Sequence, residues 1–417
     1  MSVSFENTTV DSAFFTPLNA LVAQSQWTRP CPELPDLDFV RLGIHRVLES
    51  SPSGRGFIQE HGARFERMPT HSNYFSTLRS ARRGELLKDV HDRLIAAAAV
   101  LLPDRLNSLP ELRTYECFAA DGHWHQAATH DPRHDGVKMA VGHFYSLDLR
   151  SHTLRHLAAA EGLHEHDMSV LKRVKPKGLR QSVPKGKRVL IVYDKAGIDF
   201  AYWKRCRQEC ALYFLSRVKE AMVYDWLADR DWASSDPRNA GVKADRRVMT
   251  REGVELRIVT YIDPVGGESY EFLTNEPDLP PGIIVELYRR RWEAEKVFDE
   301  IKNKLGERKA WGTTQEAREA QARCVAMTHN LLKMYEHRLE VERGVRNHTE
   351  DARRAKRGAE AEEQCAHQGK AISPLITAAR RATQCSVKFV RWIRQSLRDD
   401  VAEAVAVARL HTLYAAS

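Results

Sequence analysis

Four side chains in the segment LYRRRWEAEKVFDEIKNKL are of types that suit chemistry on a phosphodiester: Tyr288, Arg291, Glu295 and Lys302. The last three follow Tyr288 by 3, 7 and 14 residues. At roughly 100° per residue of α-helix all four fall within an arc of about 60°, so one helix face would present a phenol, two cations and a carboxylate together. Charge patterning alone is equally served by a solvated face laced with ion pairs. Two further carboxylates favour chemistry. Asp121 closes a run of β-formers from Thr114 to Ala120 and is followed by Gly122, while Asp194 closes the apolar run from Val189 to Tyr193. An acid at the end of a buried strand is costly unless it is hydrogen-bonded or binds a cation. Asp121, Asp194 and Glu295, brought together, could hold two Mg²⁺ ions, with Mn²⁺ able to substitute, because such ions prefer carboxylate, water and phosphate oxygens. A metal pair about 3.5–4 Å apart can activate an attacking oxygen and stabilise a leaving one, which is in-line displacement at phosphorus.

The elements that must position these groups alternate between helix and strand. Helical stretches are expected over Asp38–Leu48, Ser72–Arg82 and Glu85–Leu102, the last ended by Pro103. The apolar run from Leu94 to Leu102 is too short to cross a bilayer and reads as a buried helix. Strands are expected at Thr114–Ala120, stopped by an Asp121-Gly122 turn, then over Val137–Leu149 and Thr153–Ala159. A loop from Lys172 to Arg188 with eight basic residues leads into a strand at Val189–Tyr193 buried on both faces. A helix over Phe200–Cys210 and a strand over Leu212–Val218 follow, then further strands, notably Val254–Ile262 and Ser269–Leu273. From Pro281 the chain reads as helical, with Thr313 and Glu316 in capping-box spacing before a helix running to about Glu342. Residues 344–370 suit a linker or an exposed helix, and Ser373–Tyr414 has apolar positions at helical spacing.

The spacing Tyr, two residues, Arg, three residues, Glu, six residues, Lys resembles the signature of DDE transposases of the insertion sequence 4 family, the transposon five group. The resemblance extends over about residues 110–340 and, more loosely, to the segment HSNYFSTLRSARR. It implies an α/β fold: an RNase H-like catalytic core with a β-rich insertion, flanked by N-terminal and C-terminal helical regions. The corresponding division is an N-terminal helical DNA-binding domain over 1–108, core segments over 109–219 and 281–343, the insertion over 220–280, and a linker with C-terminal helices over 344–417. It further implies that Asp121, Asp194 and Glu295 are the catalytic and metal-binding triad, and that Tyr288, Arg291 and Lys302 hold DNA. An aromatic that stacks on a flipped base is also implied, with Trp226 and Trp232 as the candidates. The expected activity is cut-and-paste cleavage and strand transfer of element ends, through a hairpin intermediate. The expected partners are double-stranded DNA with terminal inverted repeats, target DNA and a second copy of the chain in a homodimer, with the C-terminal helices a possible contact. Departures from the pattern are His123 after Asp121-Gly122, where Thr or Ser is common, and Lys195-Ala196-Gly197 after Asp194, where Arg-Gly is usual. They leave Asp135 or Asp148, Asp199 and Asp299 as alternatives to the three named acids. A DNA-binding protein without turnover and a nuclease that cannot join strands are the competing functions.

Bulk properties agree with a polyanionic partner. Lys and Arg number 64 against 56 Asp and Glu, a formal charge of +8. The start of the chain has no basic segment followed by an apolar one, so the expected location is the cytoplasm of a prokaryote, at the nucleoid when bound to DNA, with no membrane partner. The seven cysteines include no CxxC pair and read as reduced thiols, with Cys206 and Cys210 packed rather than metal-bound. The histidines at 123, 125, 130, 134, 143, 152, 156, 164 and 166 have no zinc-like spacing and read as packed or solvated.

Overall fold

In the computed structural model, the described residues are 8–49, 53–61, 70–128, 133–134, 137–138, 140–161, 165–305, 307, 309–378 and 380–415. Five helices come first: α1 (Val10–Ala23), α2 (Asp36–Leu48), α3 (Gly54–His61), α4 (His71–Thr77) and α5 (Ala81–Leu101). The expected helix over Ser72–Arg82 is two elements. Ser80 leaves helical geometry to cap α5, its hydroxyl accepting from the Arg83 N–H. The end of α5 also departs from a fully buried helix, since Val100 is 89% exposed.

The strands are β1 (Tyr115–Gln126), the short pair β2 (Arg133–His134) and β3 (Val137–Lys138), β4 (Ala140–Asp148) and β5 (Leu154–Ala159). After α6 (Asp167–Arg180) come β6 (Arg188–Val192), α7 (Phe200–Cys210), β7 (Leu212–Arg217), β8 (Tyr224–Asp229), β9 (Val242–Thr250), β10 (Glu255–Ile262) and β11 (Ser269–Thr274). Nine of these form one mixed sheet among the described residues, in the order β5-β4-β1-β6-β7-β11-β10-β9-β8. The strands between 220 and 280 therefore extend the central sheet rather than forming one of their own.

Two expectations about this region are corrected. Asp121-Gly122 is no turn: β1 runs through it because β4 pairs with it throughout, Asp121 opposite Tyr145 and Gly122 opposite Phe144. The basic segment from Lys172 is mostly helical, because Met168, Val170, Leu171 and Leu179 bury one face of α6. The helix kinks at Lys175, whose φ of 63° precedes Pro176.

The remaining helices are α8 (Pro281–Arg290), α9 (Trp292–Asn303), α10 (Gln315–Arg343), α11 (His348–His367), α12 (Pro374–Thr377), α13 (Val387–Asp399) and α14 (Glu403–Ala415). Thr314, one residue beyond the expected cap, receives the Ala317 N–H that starts α10. The charged stretch after 344 is the exposed helix α11, and Gly344 ends α10 in the left-handed region at φ 65°.

Alternation along the strands divides the core. In β1, Cys117 and Ala119 face one cluster and Phe118 and Ala120 the other; in β6, Leu190 and Val192 oppose Val189 and Ile191 in the same way. The first cluster also receives α1–α5 and α8–α10, so the N-terminal helices share a core with the sheet. It includes Phe389, Val390, Ile393 and Leu397 of α13 as well. The apolar face of that helix is thus covered within the chain. Among the described residues, no helix is long and apolar enough to cross a membrane.

His91 locks α5 to β5, its Nε2 lying 3.1 Å from the Leu154 carbonyl oxygen. Burial, reinforced by the charge of Arg155, lowers its pKa from 6.5 to about 3. A base with a depressed folded-state pKa stabilises the fold fully above its unfolded value and loses that contribution as pH falls towards the folded one. Between pH 6.5 and 3 this loss amounts to about 1.4 kcal/mol per pH unit. His91→Gln, which keeps a donor and does not titrate, is expected to flatten the pH dependence of urea-unfolding stability in that window. An unchanged slope would show that His91 does not couple protonation to folding.

Candidate active site

The first two acids are brought together by strand register. β1 and β6 run parallel, pairing Tyr115 with Arg188 and Ala119 with Val192. Two residues beyond the last pair stand Asp121, still within β1, and Asp194, just past the end of β6. Alternation puts Asp121 on the face of Cys117 and Ala119 and Asp194 on the face of Leu190 and Val192, the side covered by α8–α10. The negative charge of Asp194 acts on Asp121, and so does that of Glu295.

Asp194 is held by the turn that follows β6. Its Oδ1 accepts the Ala196 N–H at 2.8 Å, and its carbonyl oxygen accepts from the Ser216 hydroxyl at 2.8 Å. Gly197 is required there by a close approach: a Cβ would fall 1.2 Å from Tyr193 Cε2, whose ring packs against the backbone.

Tyr288 and Glu295 lie on successive helices rather than on one. At Arg291 the backbone bonds shorten to i→i−3, with the Arg291 N–H donating to Tyr288 and the Ala294 N–H to Arg291, each at 3.0 Å. Arg291 then reaches both acids. Its Nη1 lies 2.7 Å from Glu295 Oε1 and 3.3 Å from Asp121 Oδ2. Tyr288 is buried against Phe272, ring centroids 4.9 Å apart, and feels both Arg291 and the negative charge of Asp194. One cation therefore ties two of the three carboxylates, and the phenol feels the charge of the third.

Burial raises the Asp121 pKa from 3.8 to about 6, with Asp194 and Glu295 adding to the rise. The Arg291 charge and the Gly122 N–H, 2.8 Å from Asp121 Oδ1, act in the opposite direction. A cluster of carboxylates that resists its own ionisation favours any cation able to enter it.

The other nominated residues are placed differently. Lys302 is exposed in the last turn of α9, about 10 Å along the helix from Glu295. Trp226 is 61% exposed on β8, six strands from β1 and thus roughly 30 Å across the sheet at the usual strand spacing. Trp232 is half-buried in the segment after β8. Neither tryptophan is brought to the acids within this chain. Trp292, in contrast, is exposed beside Arg291 and lines a cleft with Arg217, Tyr270, Tyr288 and Lys296. The alternative acids have other partners. Asp148 receives the Arg150 N–H and the Ser151 hydroxyl, Asp199 caps α7, and Asp299 receives the amides of Asn303 and Gln384. Asp135 lies outside the described residues.

Sequence reasoning missed Asp167, at the start of α6. Its Oδ1 would lie 3.4 Å from a Cβ at Gly122, and it feels the charge of Asp194. No spacing relates it to the other acids, so only the fold could reveal it.

A family model for the transposase DDE domain matches residues 113–331, more than half of the chain. The chain belongs to the DDE transposase family. No curated protein matches it. The matched span of this DDE transposase begins just before β1 and ends within α10, so it takes in all three acids and the whole nine-stranded sheet. Membership implies a nuclease or transposase activity that acts on DNA with divalent metal ions.

If Arg291 stabilises the negative charge on Asp121, Arg291→Gln should lift the Asp121 pKa above its value of about 6 in metal-free protein. Carboxyl-carbon NMR titration measures this directly. A pKa that stays put or falls would show that the guanidinium does not govern this acid.

Proposed function

We propose that this chain is a cut-and-paste transposase of the insertion sequence 4 group, built on an RNase H-like core. It cleaves DNA at the ends of its element and joins those ends to a target. The observation that carries the reading is Asp121 and Asp194, each two residues beyond the last β1–β6 pair, with Glu295 linked to Asp121 through Arg291. In the first reaction the oxygen of water attacks a phosphodiester and the bond to the 3′ oxygen breaks, freeing a 3′-hydroxyl. In the second, that hydroxyl attacks a target phosphodiester and displaces another 3′ oxygen.

The acids suit two Mg²⁺ or Mn²⁺ ions, since all three offer oxygen donors and their mutual repulsion, felt at Asp121, is what a divalent cation relieves. When bound, such ions supply Lewis-acid stabilisation of the attacking and leaving oxygens. The chain's own residues do the rest. Asp121 is fixed by the sheet, Asp194 by the turn after β6 and Glu295 by α9. Arg291 and Tyr288 offer donors to phosphate oxygens beside the acids, and Lys302 contacts the backbone further along. A basic cleft whose lining includes Arg217, Arg289 and Arg354 extends from this point and offers a path for the duplex. Trp226 and Trp232, far from the acids of their own chain, are assigned to DNA held by a partner copy in a homodimer. Helices over 1–108 are assigned to recognition of terminal inverted repeats, and the strands over 220–280 to an insertion that widens the DNA-facing surface.

Asp121→Asn, Asp194→Asn and Glu295→Gln should each lower Mg²⁺-dependent nicking and joining of DNA carrying the element's ends by at least a thousandfold, roughly the loss expected when one member of a cooperating set is removed. DNA binding should persist. Asp299→Asn should retain activity, and the opposite ranking of Glu295 and Asp299 would overturn the triad. Nicking without joining in the unaltered protein would identify a nuclease instead. Lys302→Ala should weaken binding across sequences and reduce the salt slope by about 1, as expected for one lost phosphate contact. An unchanged slope would remove Lys302 from the interface.

A further inference from the structure

Further along the same face of β1 lies a second cluster that the transposase chemistry does not use. His123 and His125 are two residues apart and share the face of Asp121. His143 is opposite His123 on β4. Glu307 follows α9, in a segment tied to the end of β1 by the Ala310 N–H donating to the Gln126 carbonyl oxygen at 2.8 Å. All four side chains are buried. One donor atom from each of His125, His143 and Glu307 lies within 4.8 Å of the other two.

Three details suit a metal ion better than a packed polar cluster. The Nε2 atoms of His125 and His143 point at each other 3.1 Å apart. Two imidazole nitrogens on one tetrahedral Zn²⁺ are about 3.3 Å apart, given Zn–N bonds of about 2.0–2.1 Å. His125 Nδ1 lies 3.0 Å from the Gln126 carbonyl oxygen, so its proton belongs there and the Nε2 lone pair faces the cluster. Glu307 presents a carboxylate in a closed space and, among the described residues, pairs with His123 and His125 and with no Lys or Arg. Its Oε1 accepts from Gln321, and Oε2 lies 3.4 Å from His123 Nε2, an ion pair only if that ring is protonated; among the described residues neither of these two atoms has a well-directed hydrogen bond. A buried carboxylate oxygen left in this way is expensive unless a cation is present.

We propose that His125 Nε2, His143 Nε2 and the Glu307 carboxylate bind a single transition-metal ion of the Zn²⁺ class, with His123 steering the second oxygen of Glu307. Two neutral nitrogens and one oxygen anion suit Zn²⁺ and disfavour Mg²⁺, which separates this site chemically from the three acids. The ion staples the strand carrying Asp121 to the segment that follows the helix carrying Glu295. Its role is to hold the two halves of the catalytic centre at a fixed distance, and it takes no part in phosphoryl transfer.

The test is elemental analysis of untagged full-length protein grown with equal concentrations of Mn, Fe, Co, Ni, Cu and Zn. One equivalent of zinc per chain is expected. It should persist in an Asp121→Asn, Glu295→Gln double variant and fall at least tenfold in His143→Gln and in Glu307→Gln. Should those variants fail to fold, X-ray absorption at the zinc edge of the unaltered protein decides the matter, with two imidazoles and carboxylate oxygen expected in the first shell. Unaltered protein without stoichiometric transition metal would overturn the site, leaving an imidazolium–carboxylate pair in its place. Zinc that departs with Asp121 and Glu295, or that shows a sulfur shell, would overturn it equally.

Discussion

The parallel pairing of β1 with β6 is the constraint on which the candidate centre depends. Asp121 and Asp194 are 73 positions apart in the chain, and neither has a local reason to meet the other. A register that pairs Ala119 with Val192 puts both, two residues on, at matching positions on one face. A slip of one residue would send one of the two acids to the opposite face and dissolve the pair. Register is protected by burial on both sides: Leu190 and Val192 pack under the helices, and Val189 and Ile191 pack against the Phe214 and Trp203 side. The same apolar run that stabilises the sheet thus sets the position of the charges.

Placing acids on a helix-covered face has an electrostatic cost, met by Arg291. The guanidinium remains charged in any accessible pH range and its planar fork can serve two carboxylates at once. The break between α8 and α9 is what lets it do so. Residues 281–290 bury nearly every side chain, so α8 is a core helix, whereas α9 keeps Glu295 half-exposed at the rim. A shortened turn at Arg291 joins these two requirements without Pro or Gly, and it leaves Tyr288 inside, Arg291 between and Glu295 at the opening.

Much of this was legible in the sequence because the informative signals were local. The continuous apolar run 189–193, the helix 200–210 and the strands at 212, 255 and 269 all emerge within two residues of their expected places, since β-branched runs and breakers declare them. The transposase family, too, was legible, from one spaced signature and two acids that follow runs of β-formers. What escaped was set by pairing across the sheet. Asp121-Gly122 has the composition of a turn, yet partners in β4 keep it extended, and eight basic residues from Lys172 to Arg188 looked like a loop although four apolar positions bury one side of a helix. Distance escaped as well. Trp226 is close to the other strands in sequence but lies at the far edge of the sheet, because the chain crosses from β7 directly to the edge strand β8 and its antiparallel connections then return it inward to β11, beside β7. Glu307 and the histidines had no recognisable spacing, for their proximity arises from one cross-strand pair and a return of the chain after α9.

The alternation of β1 also explains why two different ion chemistries can occupy one strand. Asp121, His123 and His125 share a face at about 6.5–7 Å intervals, the repeat of every second residue. Near Asp121 that face opens towards Arg291, which also lines the basic cleft. Two and four residues on, Phe298 stacks on His123 at 5.4 Å and Tyr145 closes the side, so the nitrogen donors are shut away from water. Open oxygen donors suit a hard, hydrated ion that must meet a substrate, whereas enclosed imidazoles suit an ion that stays. The boundary between the two environments is a single strand repeat. Any disturbance of the enclosed cluster therefore reaches Asp121 through two residues of one β-strand, the shortest mechanical path available in the fold.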